Sequence, residues 1–253
     1  MVHSWIFPGW LVAMLGTAVA AHAADPAVTL TRLRGNVYVV EDTFYSRENS
    51  AVYIGQDHVT VIGATWTPET ARLLAEAIAK VTPKPVIEVI DTNYHPDRAG
   101  GNAYFKNCGA RILSTEQTRD LMRTNWDHVV RLTRQSNPGY PELPAVLPDE
   151  VFPGDFALQG GRVKALYFGP SHTPDGIFVF FPEEKILYGG CILKEQLGSL
   201  AFANLEEYPK TLRKLQQANL GYTTIIAGHY SPMHGPELVG QYLGLLQSAQ
   251  GNR

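Results

Sequence analysis

The chain has 253 residues, 45% of them hydrophobic and 18% charged, enough for one or at most two globular domains with a substantial core and unlike a disordered segment. With 21 basic residues against 24 acidic ones, the net charge of -3 gives no electrostatic reason to expect nucleic acid or an anionic membrane as a partner.

Residues 1–23 read as a secretory signal peptide. The apolar stretch from Trp5 onward, interrupted by Pro8, Gly9, Gly16 and Thr17, ends in Ala21-His22-Ala23, an A-x-A site with cleavage expected before Ala24. Its amino-terminal region is atypical, with His3 where Lys or Arg is usual. An uncleaved membrane anchor is the competing reading, but the segment is short and broken for one. The expectation is therefore a soluble, exported, periplasmic protein whose residues 24–253 form a single domain.

Residues 36–40, 50–54 and 58–63 have strand character, and Gly55-Gln56-Asp57 supplies a hairpin turn between the last two. His58, beside that turn, reads as a solvated loop histidine. Thr67-Pro68-Glu69 opens a helix with a capping residue, a first-turn proline and a carboxylate at the positive end of the helix dipole. Ala71, Leu74, Ala75 and Ile78 share one face, so an amphipathic helix runs to about Val81, where Pro83 and Pro85 stop it.

The β-type run over residues 85–90 then delivers the densest stretch of the chain, Asp91-Thr92-Asn93-Tyr94-His95-Pro96-Asp97-Arg98-Ala99-Gly100-Gly101. His95 and Asp97 are two apart, so in an extended loop their side chains can point the same way. Imidazole and carboxylate are both good zinc ligands. A lone His-x-Asp is more often a polar turn, and it gains weight as a site only if other strand ends bring further ligands.

Beyond Asn102 come a short helix and a strand at residues 110–113. Ser114-Thr115-Glu116-Gln117 has a capping-box pattern and starts a helix reaching about Ser136, with Leu121, Met122, Trp126, Val129, Val130 and Leu132 at core spacing and His128 exposed. Residues 138–153 hold five prolines and read as an extended loop. In the second half, a strand at 163–168 leads to Gly169-Pro170-Ser171-His172-Thr173-Pro174-Asp175-Gly176. A hairpin over 177–188 leads to Cys191, a helix over 205–218 leads to a strand at 223–227 ending in Gly228-His229, and a last helix covers 236–249. Strand-rich blocks with few helices, occurring twice, suit an α+β fold of two packed sheets with helices outside.

Four strand ends thus carry candidate ligands: His95 with Asp97, His172, Cys191 and His229. Loops on one edge of a β-scaffold are where convergent sites are built. His234 is a rival to His229, with capping of the last helix as its alternative role. Cys108 and Cys191 could form a disulfide in an exported protein. The preferred reading is two free sulfurs, with Cys108 a turn residue and Cys191 placed where a thiolate could meet a metal.

The motif Asn93-x-His95-x-Asp97-Arg98-Ala99-Gly100-Gly101-Asn102 resembles the signature of the metallo-β-lactamase superfamily in its subclass B2 form. So do Gly63-Ala64-Thr65-Trp66-Thr67-Pro68, the His172 loop, Leu187-Tyr188-Gly189-Gly190-Cys191-Ile192-Leu193-Lys194, and Gly228-His229 before Ser231-Pro232. The superfamily ordinarily has histidine where this chain has Asn93 and Arg98, and neither an amide nor a protonated guanidinium offers zinc a good lone pair. The resemblance implies an αββα sandwich of two mixed sheets with the metal at the sheet edge. It implies one zinc per chain on Asp97, Cys191 and His229, which leaves a fourth position open as catalytic zinc sites do. A second zinc at His95 and His172 would be weak and inhibitory.

The resemblance further implies that a monomer hydrolyses the β-lactam amide of carbapenems and so confers resistance. His95 and Asp97 would activate water, either being arguable as the base, with His172 beside them. Lys194 would bind the substrate carboxylate. Ser199 would stand in the place of a common asparagine that polarises the lactam carbonyl. Asn93, Thr133 and Trp66 would be further substrate contacts. Pro96 replaces a threonine and stiffens the loop. The rival readings are a thioester or lactone hydrolase of the same superfamily and a periplasmic zinc-binding protein without catalysis.

Overall fold

Side chains along the strands alternate between two cores, and that period of two fixes the architecture. In the computed structural model, which describes residues 28–251, Ala51 and Tyr53 of strand β3 (Glu48–Ile54) face one core while Val52 between them faces another. The expected signal peptide at residues 1–23 lies outside the described residues.

The first sheet has seven strands in sequential order: β1 (Val28–Arg34), β2 (Val37–Asp42), β3, β4 (Val59–Ile62), β5 (Val86–Ile90), β6 (Arg111–Thr115) and β7 (Glu150–Phe152). Pairing is antiparallel from β1 to β4 and parallel from β4 to β7. The parallel half needs crossovers, supplied by α1 (Pro68–Val81), by α2 (Pro96–Ala99) with α3 (Asn102–Asn107), and by α4 (Glu116–Ser136). The second sheet has six strands. Its members are β8 (Phe156–Leu158), β9 (Val163–Leu166), β10 (Phe178–Phe181), β11 (Ile186–Gly190), β12 (Thr224–Ala227) and β13 (Met233–His234), ordered β13-β12-β11-β10-β9-β8. Helices α5 (Tyr208–Gln217) and α6 (Leu238–Gly251) cover its outer face.

The central core is made by inward residues of both sheets, including Val37, Val39, Tyr53, Ile62, Val179, Phe181, Ile186 and Ile226. Leu187, Ile225 and Ala227 face α5 and α6, and Val59, Val61 and Val89 face α1 and α3. The result is the expected αββα sandwich.

The helix starts follow local chemistry. Thr67 accepts from the Thr70 backbone N–H and Thr70 Oγ1 answers the Thr67 N–H, closing a capping box at α1. At α4 the cap is Thr115, which takes the Thr118 N–H, one residue later than the Ser114 to Gln117 pattern suggests. Ser114 Oγ instead donates to the Thr115 carbonyl. Two other expectations change. The proline-rich stretch ends in β7, and His58 is not simply solvated: its Nε2 lies 3.0 Å from Glu88 on the neighbouring strand.

Candidate metal centre and cleft

The candidate ligands meet because parallel pairs β4/β5 and β11/β12 send their carboxyl ends to the same edge of the sandwich. β5 runs into the His95 loop and α2, β11 into Cys191, and β12 into His229. Close backbone approach requires glycine at two places. A Cβ on Gly228 would sit 2.2 Å from the Gly190 carbonyl, and one on Gly100 would sit 1.9 Å from the Trp66 carbonyl oxygen. The Gly228 carbonyl in turn accepts from the Asn49 N–H at 2.8 Å, tying the His229 loop to the first sheet.

Cys191 Sγ lies 3.0 Å from Asp97 Oδ2 and 3.7 Å from His229 Nε2, and His229 Nε2 lies 3.2 Å from Asp97 Oδ2. Bonds of about 2.0 Å to nitrogen or oxygen and 2.3 Å to sulfur at tetrahedral angles separate donors by about 3.3–3.6 Å, so this donor set fits one zinc-sized ion. His229 Nδ1 meets the Arg47 carbonyl at 2.9 Å, which leaves Nε2 as the nitrogen able to face an ion. Among the described residues these three form the group able to hold a metal. His234 does not join it: its Nε2 meets the Ser231 carbonyl at 2.9 Å within β13, and α6 begins only at Leu238. Both cysteines are free.

Behind the three ligands lies Arg98, wholly buried. Its Nε donates to Cys191 Sγ at 3.0 Å, its Nη2 donates to the Gly228 carbonyl at 2.8 Å and lies 3.2 Å from Asp97 Oδ2, and its Nη1 reaches the Asn49 carbonyl, Tyr188 Oη and Glu48. Burial alone would raise the Asp97 carboxyl, but Arg98 and His229 overcome it and hold it well below the usual range. Burial opposes the Arg98 charge as well, and Cys191, Tyr188, Asp97 and Glu48 outweigh it, so the guanidinium stays protonated. Burial pushes the Cys191 thiol up to about 11, with Arg98 opposing.

His95 and His172 stack edge to face at 5.3 Å in front of this group. Burial pulls His95 down to about 4 and His172 well below its ordinary range, so both imidazoles are neutral at physiological pH. Among the described residues His95 Nε2 has no hydrogen-bond partner. Lys194 is 3% exposed, a buried cation and not a solvated surface lysine, and its Nζ approaches His172 Nδ1 at 3.5 Å. Burial lowers its ammonium to about 8.

A cavity of about 220 Å³ lined by His95, Asp97, His172, Lys194, Ser199, His229 and Trp66 adjoins a cleft of about 350 Å³. The cleft continues past Pro96 and Phe202 to Thr133 and Ser136 on α4. Trp66 is a wall of both, fixed by donating from Nε1 to the Ser46 carbonyl at 3.0 Å. Ser199 and Thr133 also line the cleft. Asn93 does not: its Oδ1 accepts from the His95 backbone N–H at 2.9 Å and it is buried, so it shapes the loop and does not wall the cleft. The sequence reading missed Phe202, whose ring lies 4.9 Å from His95, and Glu48 behind Arg98. Neither carries a signal beyond one aromatic in a loop and one carboxylate at the start of a strand.

Comparison with known proteins places the molecule. The sequence profile of the Metallo-beta-lactamase superfamily matches residues 45–229, and the chain belongs to that superfamily. It is 30% identical over 215 residues to a metallo-beta-lactamase type 2 of Elizabethkingia meningoseptica, covering 81% of this chain and 79% of that protein. It is 26% identical to metallo-beta-lactamase IND-1 of Chryseobacterium indologenes, covering 87% and 89%. Among solved structures, VMB-1 superposes with a TM-score of 0.77 at 22% identity, over 88% of this chain and 98% of that one. The mono-zinc form of FIM-1 from Pseudomonas aeruginosa gives 0.76 at 20% identity, over 88% and 96%. These likenesses at low identity match the two-sheet fold.

Proposed function

We propose that the chain is an exported, zinc-dependent β-lactamase that opens the amide of carbapenems and works with one zinc per chain, in the manner of subclass B2. The observation that carries this reading is the convergence of Asp97, Cys191 and His229 on one point, while Asn93, an amide and a poor zinc donor, is turned to the His95 backbone N–H beside His95 and His172. The names of the relatives support the β-lactam as substrate. Residues 1–23 would direct export to the periplasm, leaving residues 24–253 as a monomeric domain. Among the described residues no helix is long and apolar enough to cross a membrane.

In this mechanism Lys194 receives the substrate carboxylate as a charge-assisted hydrogen bond. The β-lactam ring lies between Trp66 and the His95–His172 pair, and its substituent follows the cleft toward Thr133. Neutral His95 takes a proton from water whose oxygen bonds to the lactam carbonyl carbon; Asp97, held ionised by Arg98, orients that water or shares the base role. The ring C–N bond breaks and the proton passes to the released nitrogen. Ser199, exposed at the cavity mouth, offers a hydroxyl toward the carbonyl. Asp97, Cys191 and His229 would hold the zinc, which would supply Lewis-acid stabilisation of the charge that develops as that bond breaks. Occupation of His95 and His172 by a second ion would remove the base, so excess zinc inhibits.

The test is hydrolysis of a carbapenem, a penicillin and a thioester by the purified chain with one equivalent of zinc. Carbapenem turnover above the other two supports the reading. Thioester turnover with an intact carbapenem, or metal binding without hydrolysis of any of the three, contradicts it.

A further inference from the structure

Glu48 opens β3 and is wholly buried, yet it belongs to neither core and touches no group that a substrate could reach. Its carboxylate has two kinds of neighbour. Ser50 Oγ donates to both oxygens, at 3.2 and 3.0 Å, and Arg98 Nη1 pairs with Oε2. The same guanidinium presents Nε–H to Cys191 Sγ and Nη2 to Asp97. Arg98 Nη2 also lies 3.5 Å from His229 Nε2, and Glu48 stands opposite His229 in an isolated β-bridge. Every ligand of the candidate metal centre is therefore one hydrogen-bonded step from the pair.

We propose that Glu48 is a positioning residue for the metal centre, acting through Arg98 to aim a charged hydrogen bond at the Cys191 sulfur and to balance the charge of the loaded site. The inference rests on the reading of Asp97, Cys191 and His229 as metal ligands and adds a determinant of how tightly and with what sulfur character they bind. The charge count is direct. Burial raises the Glu48 carboxyl and the Arg98 pair opposes that rise; with Glu48 ionised, a divalent ion and Arg98 bring three positive charges to the site, the Cys191 thiolate, Asp97 and Glu48 bring three negative ones, and the buried Lys194 and Asp42 nearby add one of each sign. Without the Glu48 carboxylate, one positive charge stays uncompensated beside the ion. Buried charges tolerate that poorly. The Nε–H to sulfur bond draws electron density from the thiolate, so the geometry of Arg98 sets the energy of sulfur-to-metal charge transfer.

The experiment uses the metal-free full chain and cobalt(II) alone, with affinity read by competition against a chromophoric chelator and the thiolate environment by the cobalt–sulfur charge-transfer band. The native chain is expected to bind one cobalt with that band. Glu48→Gln, which keeps an acceptor but not the charge, is expected to bind about 10- to 100-fold more weakly, with a displaced band and an unchanged far-ultraviolet spectrum. Glu48→Asp keeps the charge at a shorter reach, so it is expected to recover most of the affinity while still moving the band. A native band and native affinity in Glu48→Gln overturn the proposal. If that variant does not fold, a native band in Glu48→Asp overturns it. Failure of the native chain itself to bind cobalt through sulfur is a different result: it removes the metal-centre reading on which the inference stands.

Discussion

Asp175 shows how one buried residue connects the scaffold to the site. It lies three residues after His172, and its Oδ2 accepts the backbone N–H of Tyr94 at 2.8 Å, pinning the loop that carries His95. Burial pushes its carboxyl up from 3.8 to about 6, against that hydrogen bond and the lowering effect of the nearby hydroxyls of threonines 118 and 173. Asp91 is the other carboxylate facing it. The folded state therefore binds the Asp175 proton more tightly than the unfolded state does. Its contribution to stability is complete below about pH 4 and is lost as pH rises through about 6, by roughly 3 kcal/mol. Asp175→Asn keeps an acceptor for Tyr94 but cannot ionise. Chemical denaturation of the metal-free proteins between pH 4 and pH 7 should show the variant gaining on the native chain as pH rises; parallel profiles would refute the assignment.

The two cysteines give a second residue-scale prediction. Cys108 is exposed at the end of α3, whereas Cys191 is buried with its thiol shifted to about 11. In the metal-free native chain one thiol should react promptly with a disulfide reagent and the other only on unfolding. No free thiol before reduction would mean a disulfide. At this scale the sequence is informative about ligands and silent about their support. His95, Asp97, Cys191 and His229 are visible because metal-binding side chains sit at strand ends. Arg98 is visible only as a residue unable to bind zinc, because its role depends on Glu48, which is 50 positions away and marked by no periodicity.

Helix α4 is the element that shapes the cleft. It buries Met122, Trp126, Val129 and Val130 against Tyr94 and Ala99, so its inner face packs on the metal loop while Thr133 and Ser136 wall the cleft. Trp126 also donates from Nε1 to the Leu143 carbonyl at 2.7 Å, fastening the proline-rich loop. Trp126→Ala should cost about 3–5 kcal/mol of stability and raise KM for a carbapenem more than it lowers kcat. Denaturant unfolding and steady-state kinetics read the two effects, and an unchanged KM would show that α4 does not contact substrate. Helices α1 and α4 are legible in the sequence because threonine caps and an apolar face are local signals. Strands β1, β7, β8 and β13 are not. β1 is an edge strand with exposed Thr29, Thr31 and Arg32, and β7, β8 and β13 are two or three residues long, so long-range pairing makes them strands.

Over the whole molecule, two mixed sheets are held face to face by a shared apolar core and both send parallel strand ends to one edge. Four remote stretches of chain meet there without any local motif specifying their distances. The strand-rich halves make the sandwich class legible, whereas sheet order and the convergence of Asp97 with Cys191, 94 residues later, depend on pairings that no short window contains. The central claim is that this edge binds one zinc ion and hydrolyses a carbapenem with it. The most direct measurement is zinc content determined together with imipenem hydrolysis on a single preparation titrated from metal-free protein. Activity is predicted to rise to a maximum at one zinc per chain and to fall as more is added. Activity that continues to rise toward two zinc ions per chain, or imipenem left intact at one, would contradict it.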